Sequence, residues 1–277
     1  MVDLEGVVDR AVVLVLSILY FFVALWFGWS IAVCKCDALG GGRQIPILCF
    51  TALVVGSVNN LWLFNIGTDF GVSGSQSDMN MKEILNTLFD ICFLTLGIFV
   101  MSEPWESFYK NGARVWFAGS VVLLKAIFGI CYLNPDEEKK SMVHFFSVIV
   151  EFFVLVGIMI MLTRGRRRAG LTTATTTTSG PLTAPQPSSY DMAGYKTYTN
   201  LLGFHLLTRV LMVVIAVMFF FDSSSVDEAE PVALLFIVAI RASPFLVLAG
   251  VAYHWSSEAT GAGFERVDHS SAGIQLI

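Results

Sequence analysis

Thr163-Arg164-Gly165-Arg166-Arg167-Arg168 opens the stretch on which the reading of the whole chain turns. It continues through the threonine run Thr172 to Thr178 and then from Pro181 to Lys196, reaching Asn200 without one sustained apolar segment. Such a stretch is too poor in Leu, Ile, Val and Phe to bury a core, so residues 163–200 are expected to form a disordered linker. Lys and Arg beside a membrane segment are retained in the cytosol, so the basic block also sets the sidedness of every span around it. Arg164, Arg166, Arg167 and Arg168 read as a topology signal and a contact for anionic lipid, with a dedicated protein-partner site as the alternative.

Composition places the rest of the chain in a membrane. Of 277 residues, 55% are hydrophobic and only 14% charged, whereas charged residues make up roughly a quarter of a soluble domain. The net charge of -5 gives no nucleic-acid footprint, because the one basic block is the arginine cluster and the acids sit mostly in loops. Cys34, Cys36, Cys49, Cys92 and Cys131 fall within or beside apolar runs, unlike the cysteines of a secreted disulfide framework.

Seven apolar runs can be marked outward from the arm: Ala11 to Val33, Ile45 to Ile66, Ile84 to Met101, Arg114 to Leu133, Val143 to Leu162, Leu201 to Phe221 and Pro231 to Tyr253. Each has about the 20 residues a helix needs to cross a hydrocarbon core of roughly 30 Å. Helices are the expected structure, because lipid offers no partner to an open backbone and the alternation of a β-barrel is absent. The first run is too long for a signal peptide and has no small-residue cleavage site. Lys35 and Arg43 follow it, so the amino terminus is expected on the non-cytosolic side and, after seven spans, the carboxyl terminus in the cytosol.

The distribution of basic residues agrees with this threading. Lys35, Arg43, Lys110, Arg114, Arg164, Arg166, Arg167, Arg168, Lys196 and Arg266 fall on the cytosolic side, ten against the four of Arg10, Lys82, Lys139 and Lys140. The non-cytosolic loops are acidic instead, with Asp69, Asp78, Asp136 to Glu138 and Asp222 to Glu230. The expected organisation is therefore helices one to five over residues 1–162, the linker over 163–200, helices six and seven over 201–253, and a cytosolic tail over 254–277. Short connections outside the arm favour sequential antiparallel neighbours in one all-α bundle.

Ten and four leave three of the seventeen Lys and Arg residues: Lys125, Arg209 and Arg241, deep in spans four, six and seven. An ionised side chain at the centre of a span costs on the order of 3 kcal/mol, so these cations need partners or water. Asp90 and Glu151 are the acids at hand. Counted at 1.5 Å per residue from the non-cytosolic end, Asp90 lies at about 9 Å, Lys125 and Glu151 at about 12 Å, Arg241 at about 15 Å and Arg209 at about 18 Å. Asn59, Asn60 and Asn86 share that half of the bilayer. The eight residues are expected to form an inward-facing polar cluster, with one net positive charge from its five ionisable members. Such a cluster reads as a closed ion-pair network that holds helices in register, as a pocket for a small anionic ligand, or as a proton or ion path.

Other features carry less. Cys34-Lys35-Cys36 reads either as a juxtamembrane palmitoylation site or as free thiols without function. His205 shares a helix face with Arg209 and reads as a packing or interfacial histidine. Pro244 is expected to kink the last span and to free a backbone carbonyl near the polar layer. No Ser/His/Asp set, zinc-protease motif or phosphate loop appears, so no catalytic residue, cofactor or metal site is assigned and the chain reads as non-enzymatic.

Several segments carry a resemblance. Ser102-Glu103-Pro104-Trp105-Glu106-Ser107-Phe108-Tyr109, Leu162 to Arg168, Leu207-Thr208-Arg209, Asp222 to Pro231, and Pro244-Phe245-Leu246-Val247-Leu248 are together similar to the plant tobamovirus multiplication protein family and its distant relatives among lysosomal orphan seven-pass proteins. Arg241 departs from that pattern, which carries an acid near this position, and Asn59-Asn60 stands where the family pairs Asn with Arg. The resemblance implies a vacuolar or endolysosomal membrane, with the plasma membrane as the alternative. It also implies a receptor-like scaffold acting through cytosolic partners such as small GTPases and, in plants, recruited by viral replication proteins.

Overall fold

In the computed structural model the described residues are 4–33, 44–66, 76–102, 111–133, 137–176, 189–221 and 238–256. They form seven helices: α1 (Leu4–Val33), α2 (Gln44–Ile66), α3 (Gln76–Ser102), α4 (Asn111–Tyr132), α5 (Glu137–Thr176), α6 (Ser189–Phe221) and α7 (Val238–Ser256). Five segments are long and apolar enough to cross a membrane: Arg10–Val33, Gln44–Ile66, Ser77–Val100, Val115–Tyr132 and Val238–Ser256, with Phe145–Met161 a shorter apolar stretch. The outer surface is apolar as well. Trp116, Trp29 and Ile130 are 79%, 73% and 70% exposed, and Phe22, Leu123 and Phe153 also face outward. Helices that are hydrophobic all round leave no face for water, so lipid covers this one and the chain is an integral membrane protein.

Consecutive helices pack on one another, and α3 also meets α5. Residues along α3, among them Phe93, Leu94, Leu96 and Ile98, are buried in the common core. The last helix closes the bundle: Phe245 of α7 stands edge-on to Tyr20 of α1 at 5.0 Å, and the Cys49 thiol of α2 donates to the Leu248 carbonyl at 3.6 Å. On this side the helices meet through small residues. A Cβ on Gly56 would come within 2.7 Å of the Tyr20 ring, and Ser17 and Ser57 each donate a hydroxyl to the other's carbonyl at 3.0 Å. Small side chains let membrane helices approach closely, which is where their packing energy comes from.

The disordered linker expected over residues 163–200 is corrected over 163–176 and 189–200, which are helical. Helix α5 runs unbroken through the arginine block to Thr176, and α6 begins at Ser189, twelve residues before the apolar run at Leu201. The physical reason is cooperativity. A helix already nucleated in the span gains one hydrogen bond for each further residue, and the Arg, Ala and Leu residues here are good helix formers. Residues 177–188, with Pro181, Pro185 and Pro187, lie outside the described residues, and the side chains of Arg164, Arg166, Arg167 and Arg168 do too. At 1.5 Å per residue α5 is about 60 Å long, twice a hydrocarbon core, and α6 about 50 Å. Both overshoot at the same end of the bundle. Within the arm Tyr198 is buried, with its hydroxyl beside Gly97 of α3, so the last residues before Leu201 belong to the bundle. Cys34, Cys36 and the tail beyond Ser256 lie outside the described residues.

Candidate functional site

Four of the five intramembrane ionisable residues meet in one cluster. The Lys125 ammonium of α4 donates to Asp90 Oδ2 of α3 at 2.8 Å, to Glu151 Oε2 of α5 at 3.1 Å and to Ser147 Oγ at 3.2 Å. An ammonium has three protons, so Lys125 is saturated. Glu151 turns its other oxygen, Oε1, to the Arg209 guanidinium of α6 at 2.9 Å. Lys125 and Glu151 side chains are only 3% and 5% exposed, Arg209 16% and Asp90 25%. The two cations and two carboxylates thus neutralise one another across four helices, which is what a low-dielectric setting demands.

The cluster continues into α7 through neutral groups. Arg209 Nε faces His205 Nε2 at 3.5 Å, one turn back on α6. A guanidinium can only donate, so Nε2 is the unprotonated nitrogen and Nδ1 carries the proton. Nδ1 lies 2.9 Å from Ser243 Oγ of α7. Ser243 in turn donates to the Ile240 carbonyl at 3.1 Å, with Thr208 Oγ1 3.0 Å away. Ile240 is four residues before Pro244, so its carbonyl is the one that the proline leaves without a helical partner. The carbonyl expected to be freed near the polar layer is therefore taken by the neighbouring serine. His205 is fully buried and edge-on to Phe93 at 4.9 Å, a packed histidine that also links two helices.

A cavity of about 210 Å³ opens beside these charges. Its walls are Glu83, Asn86, Thr87 and Asp90 of α3, Lys125, Phe128, Gly129 and Tyr132 of α4, Val143, Ser147, Val148 and Glu151 of α5, and Arg209 of α6. On each of the first three helices the lining runs along one stripe of three- and four-residue steps. The stripe spans seven or eight residues, from Glu83 to Asp90, from Tyr132 to Lys125 and from Val143 to Glu151, so the three helices agree on a depth of about 10 to 12 Å. Lys125, Asp90 and Glu151 form the floor. Glu83, Tyr132 and Val143 surround the end of the bundle at which α3 begins, α4 ends and α5 begins.

Asn86 lines the cavity and accepts a hydrogen bond from Asn59 Nδ2 at 2.8 Å, so Asn59 joins at one remove. Asn60 instead turns back to the Gly56 carbonyl of its own helix at 2.7 Å. Arg241 does not line the cavity. It precedes Ser243 by two residues, which at 3.6 residues per turn places it about 200° around α7 from the face that meets α6. With Arg241 outside the cavity, the floor holds Lys125 and Arg209 against Asp90 and Glu151, two charges of each sign, and Glu83, engaged in an interaction of its own, stands at the outer end.

Glu83, Tyr132, Ser147 and Ser243 were not singled out in the sequence. The first three were within reach of it, lying three, four or seven residues from the assigned Asn86, Asp90, Lys125 and Glu151 on the same helices. Ser243 had no such signal beyond its place before Pro244. Among the described residues, no group of three or more His, Cys, Asp or Glu is placed to hold a metal ion. The chain matches no protein-family model, and no curated protein shows significant similarity to it.

Proposed function

We propose that this chain threads the membrane seven times, amino terminus non-cytosolic and carboxyl terminus cytosolic, and works as a receptor-like scaffold through its cytosolic face. The observation that carries this reading is the contrast between neutralised charge inside the membrane and helix running on beyond it. Lys125, Asp90, Glu151 and Arg209 satisfy one another, while α5 continues for fifteen residues past Met161 with the arginine block on it. That is about 22 Å of helix beyond the apolar stretch. A basic helical extension is an ordered docking element for acidic protein surfaces and anionic headgroups alike. The resemblance described above points to small GTPases as cytosolic partners, to viral replication proteins as opportunistic ones, and to a vacuolar or endolysosomal membrane.

Proximity labelling in cells, with probes on the two sides of the membrane, tests this reading. Replacing Arg164, Arg166, Arg167 and Arg168 by Glu is expected to remove most labelled cytosolic neighbours without shifting the thermal midpoint of the purified protein. An unchanged neighbour set would overturn the scaffold, and cytosolic labelling of the amino terminus would overturn the threading.

The cavity favours a second reading, a seven-helix receptor or small carrier with its ligand at the charge layer. Ligand-dependent behaviour lost in Arg209→Leu, at preserved folding, would support it over the scaffold.

A further inference from the structure

The floor of the cavity is electrically closed, so its remaining hydrogen-bond valences decide what it can hold. Lys125 and Arg209 are paired with Asp90 and Glu151, and Glu83 and Tyr132 at the outer end have partners of their own. An ion brought into this setting gives up its water and meets no uncompensated counter-charge. Hydroxyl and amide groups are placed differently. Ser30, Thr51, Ser120 and Thr163 each donate back to the carbonyl four residues earlier, as such residues commonly do within helices. Thr87 does not: it lines the cavity, and among the described residues its hydroxyl has no partner. Asn86 gives its amide oxygen to Asn59 and keeps its N–H groups, Asp90 holds Lys125 through Oδ2 and keeps Oδ1, and Ser147 accepts from Lys125 and keeps its hydroxyl proton. Asn86, Thr87 and Asp90 fall within about 6 Å of helix rise, and Ser147 reaches the same ammonium as Asp90 from α5. Gly129 of α4 makes room for this wall, because a Cβ there would come within 2.8 Å of both Oγ1 and Cγ2 of Thr87.

The open valences are of both kinds: donors on Asn86 and Ser147, an acceptor on Asp90, and either on Thr87. A hydroxyl group donates and accepts at once, so a chain of carbons with a hydroxyl on each meets such a mixed set without adding charge. Phe128 and Val148 supply an apolar wall for the carbon side of that chain. Size narrows the class further. At about 210 Å³ the cavity is smaller than the roughly 300 to 1,000 Å³ of sites for drug-sized ligands, and at interior packing density it takes roughly ten non-hydrogen atoms. We infer that the cavity between α3, α4, α5 and α6 binds a small uncharged polyol, its hydroxyls on Asn86, Thr87, Asp90 and Ser147 and its carbon chain against Phe128 and Val148. This rests on the second reading above and names its ligand class. Under the proposed threading the ligand enters from the non-cytosolic side.

The test is equilibrium binding of radiolabelled xylitol to the purified full-length protein, with competition by three probes of similar length: 1-amino-1-deoxyxylitol, xylonate and 1,5-pentanediol. Xylitol, a five-carbon polyol of the size the cavity admits, is expected to bind saturably at millimolar concentration or below, far under the roughly molar amounts at which polyols stabilise proteins by exclusion from their surface. The amine, the carboxylate and the diol, which lacks the three inner hydroxyls, are each expected to compete at least tenfold more weakly. Thr87→Val keeps the shape of the side chain without its hydroxyl and is expected to weaken xylitol roughly two- to tenfold, the range for a neutral hydrogen bond. Val143→Phe narrows the opening without touching any of the four polar groups and is expected to weaken it as well. Neither variant removes a charge, so both keep the ion pairs that hold the helices. Xylitol binding unaffected by both would place the ligand elsewhere and overturn the inference. Preference for the amine or the carboxylate would overturn the uncharged class while leaving the second reading in place, and equal competition by the diol would overturn the hydroxyl contacts. No saturable binding by any of the four would assign the cavity to water and overturn the inference, while the second reading keeps its separate test in Arg209→Leu.

Discussion

Where α1 meets α2 and α7, the contact is made of shape: a glycine under a tyrosine ring, an aromatic pair at 5.0 Å, and two serines trading hydroxyl protons. Where α3 meets α4, α5 and α6, it is made of charge, with Lys125 and Glu151 all but buried and each bonded to more than one helix. The first kind of contact is weak per group and spread over many groups. The second is concentrated, and its cost of failure is high because losing one partner leaves another charge without compensation in a medium that cannot solvate it. The bundle thus has a side that resists small changes and a side that does not.

The most severe way to break the contrast is Lys125→Met. It strands Asp90 and leaves Glu151 with Arg209 alone, and a loss of about 3 to 5 kcal/mol is expected in reversible unfolding of the detergent-solubilised protein. Adding Asp90→Asn to the same chain should recover part of this loss, with a coupling of about 0.5 to 3 kcal/mol for residues in direct contact. Purely additive effects of the two substitutions would show that the ion pair does not hold α3 to α4.

On the other side, Gly56→Val places branched methyls where Tyr20 and Phe89 already lie within 3.0 Å of a first added carbon. An overpacking cost of about 1 to 3 kcal/mol is expected, read as a lower unfolding midpoint. A neutral result would mean that α1 and α2 are farther apart than their glycine contact requires.

The smallest effect sharpens the comparison. Ser17→Ala with Ser57→Ala removes both reciprocal hydrogen bonds, and interhelical hydrogen bonds in membranes average about 0.6 kcal/mol. The double variant is expected to lose about 1 kcal/mol, read as a small drop in the unfolding midpoint. A loss as large as that of Lys125→Met would erase the distinction between the two sides.

Much of this was legible beforehand. Seven apolar runs of span length anticipate the positions of seven helices, because the cost of exposing a backbone to lipid leaves a run of twenty apolar residues little else to be. Counting residues from the membrane surface placed Asp90, Lys125, Glu151 and Arg209 in one layer, and their side chains meet in ion pairs. The same counting put Arg241 there, and it stands outside the cavity. Composition misread the arm for a related reason: threonine and arginine content argues against a core, but it does not stop a helix that the preceding span has already nucleated.

Depth is a property of the sequence, since rise per residue is constant and each span is anchored by its own polar ends. Length and layer follow from it. The turn of each helix about its own axis is not such a property when apolar residues surround the helix on every face. It is set by which neighbour offers a glycine, a ring or a counter-charge, and so only the packed bundle decided that Ser243 meets His205 while Arg241, two residues away, lies outside the cavity.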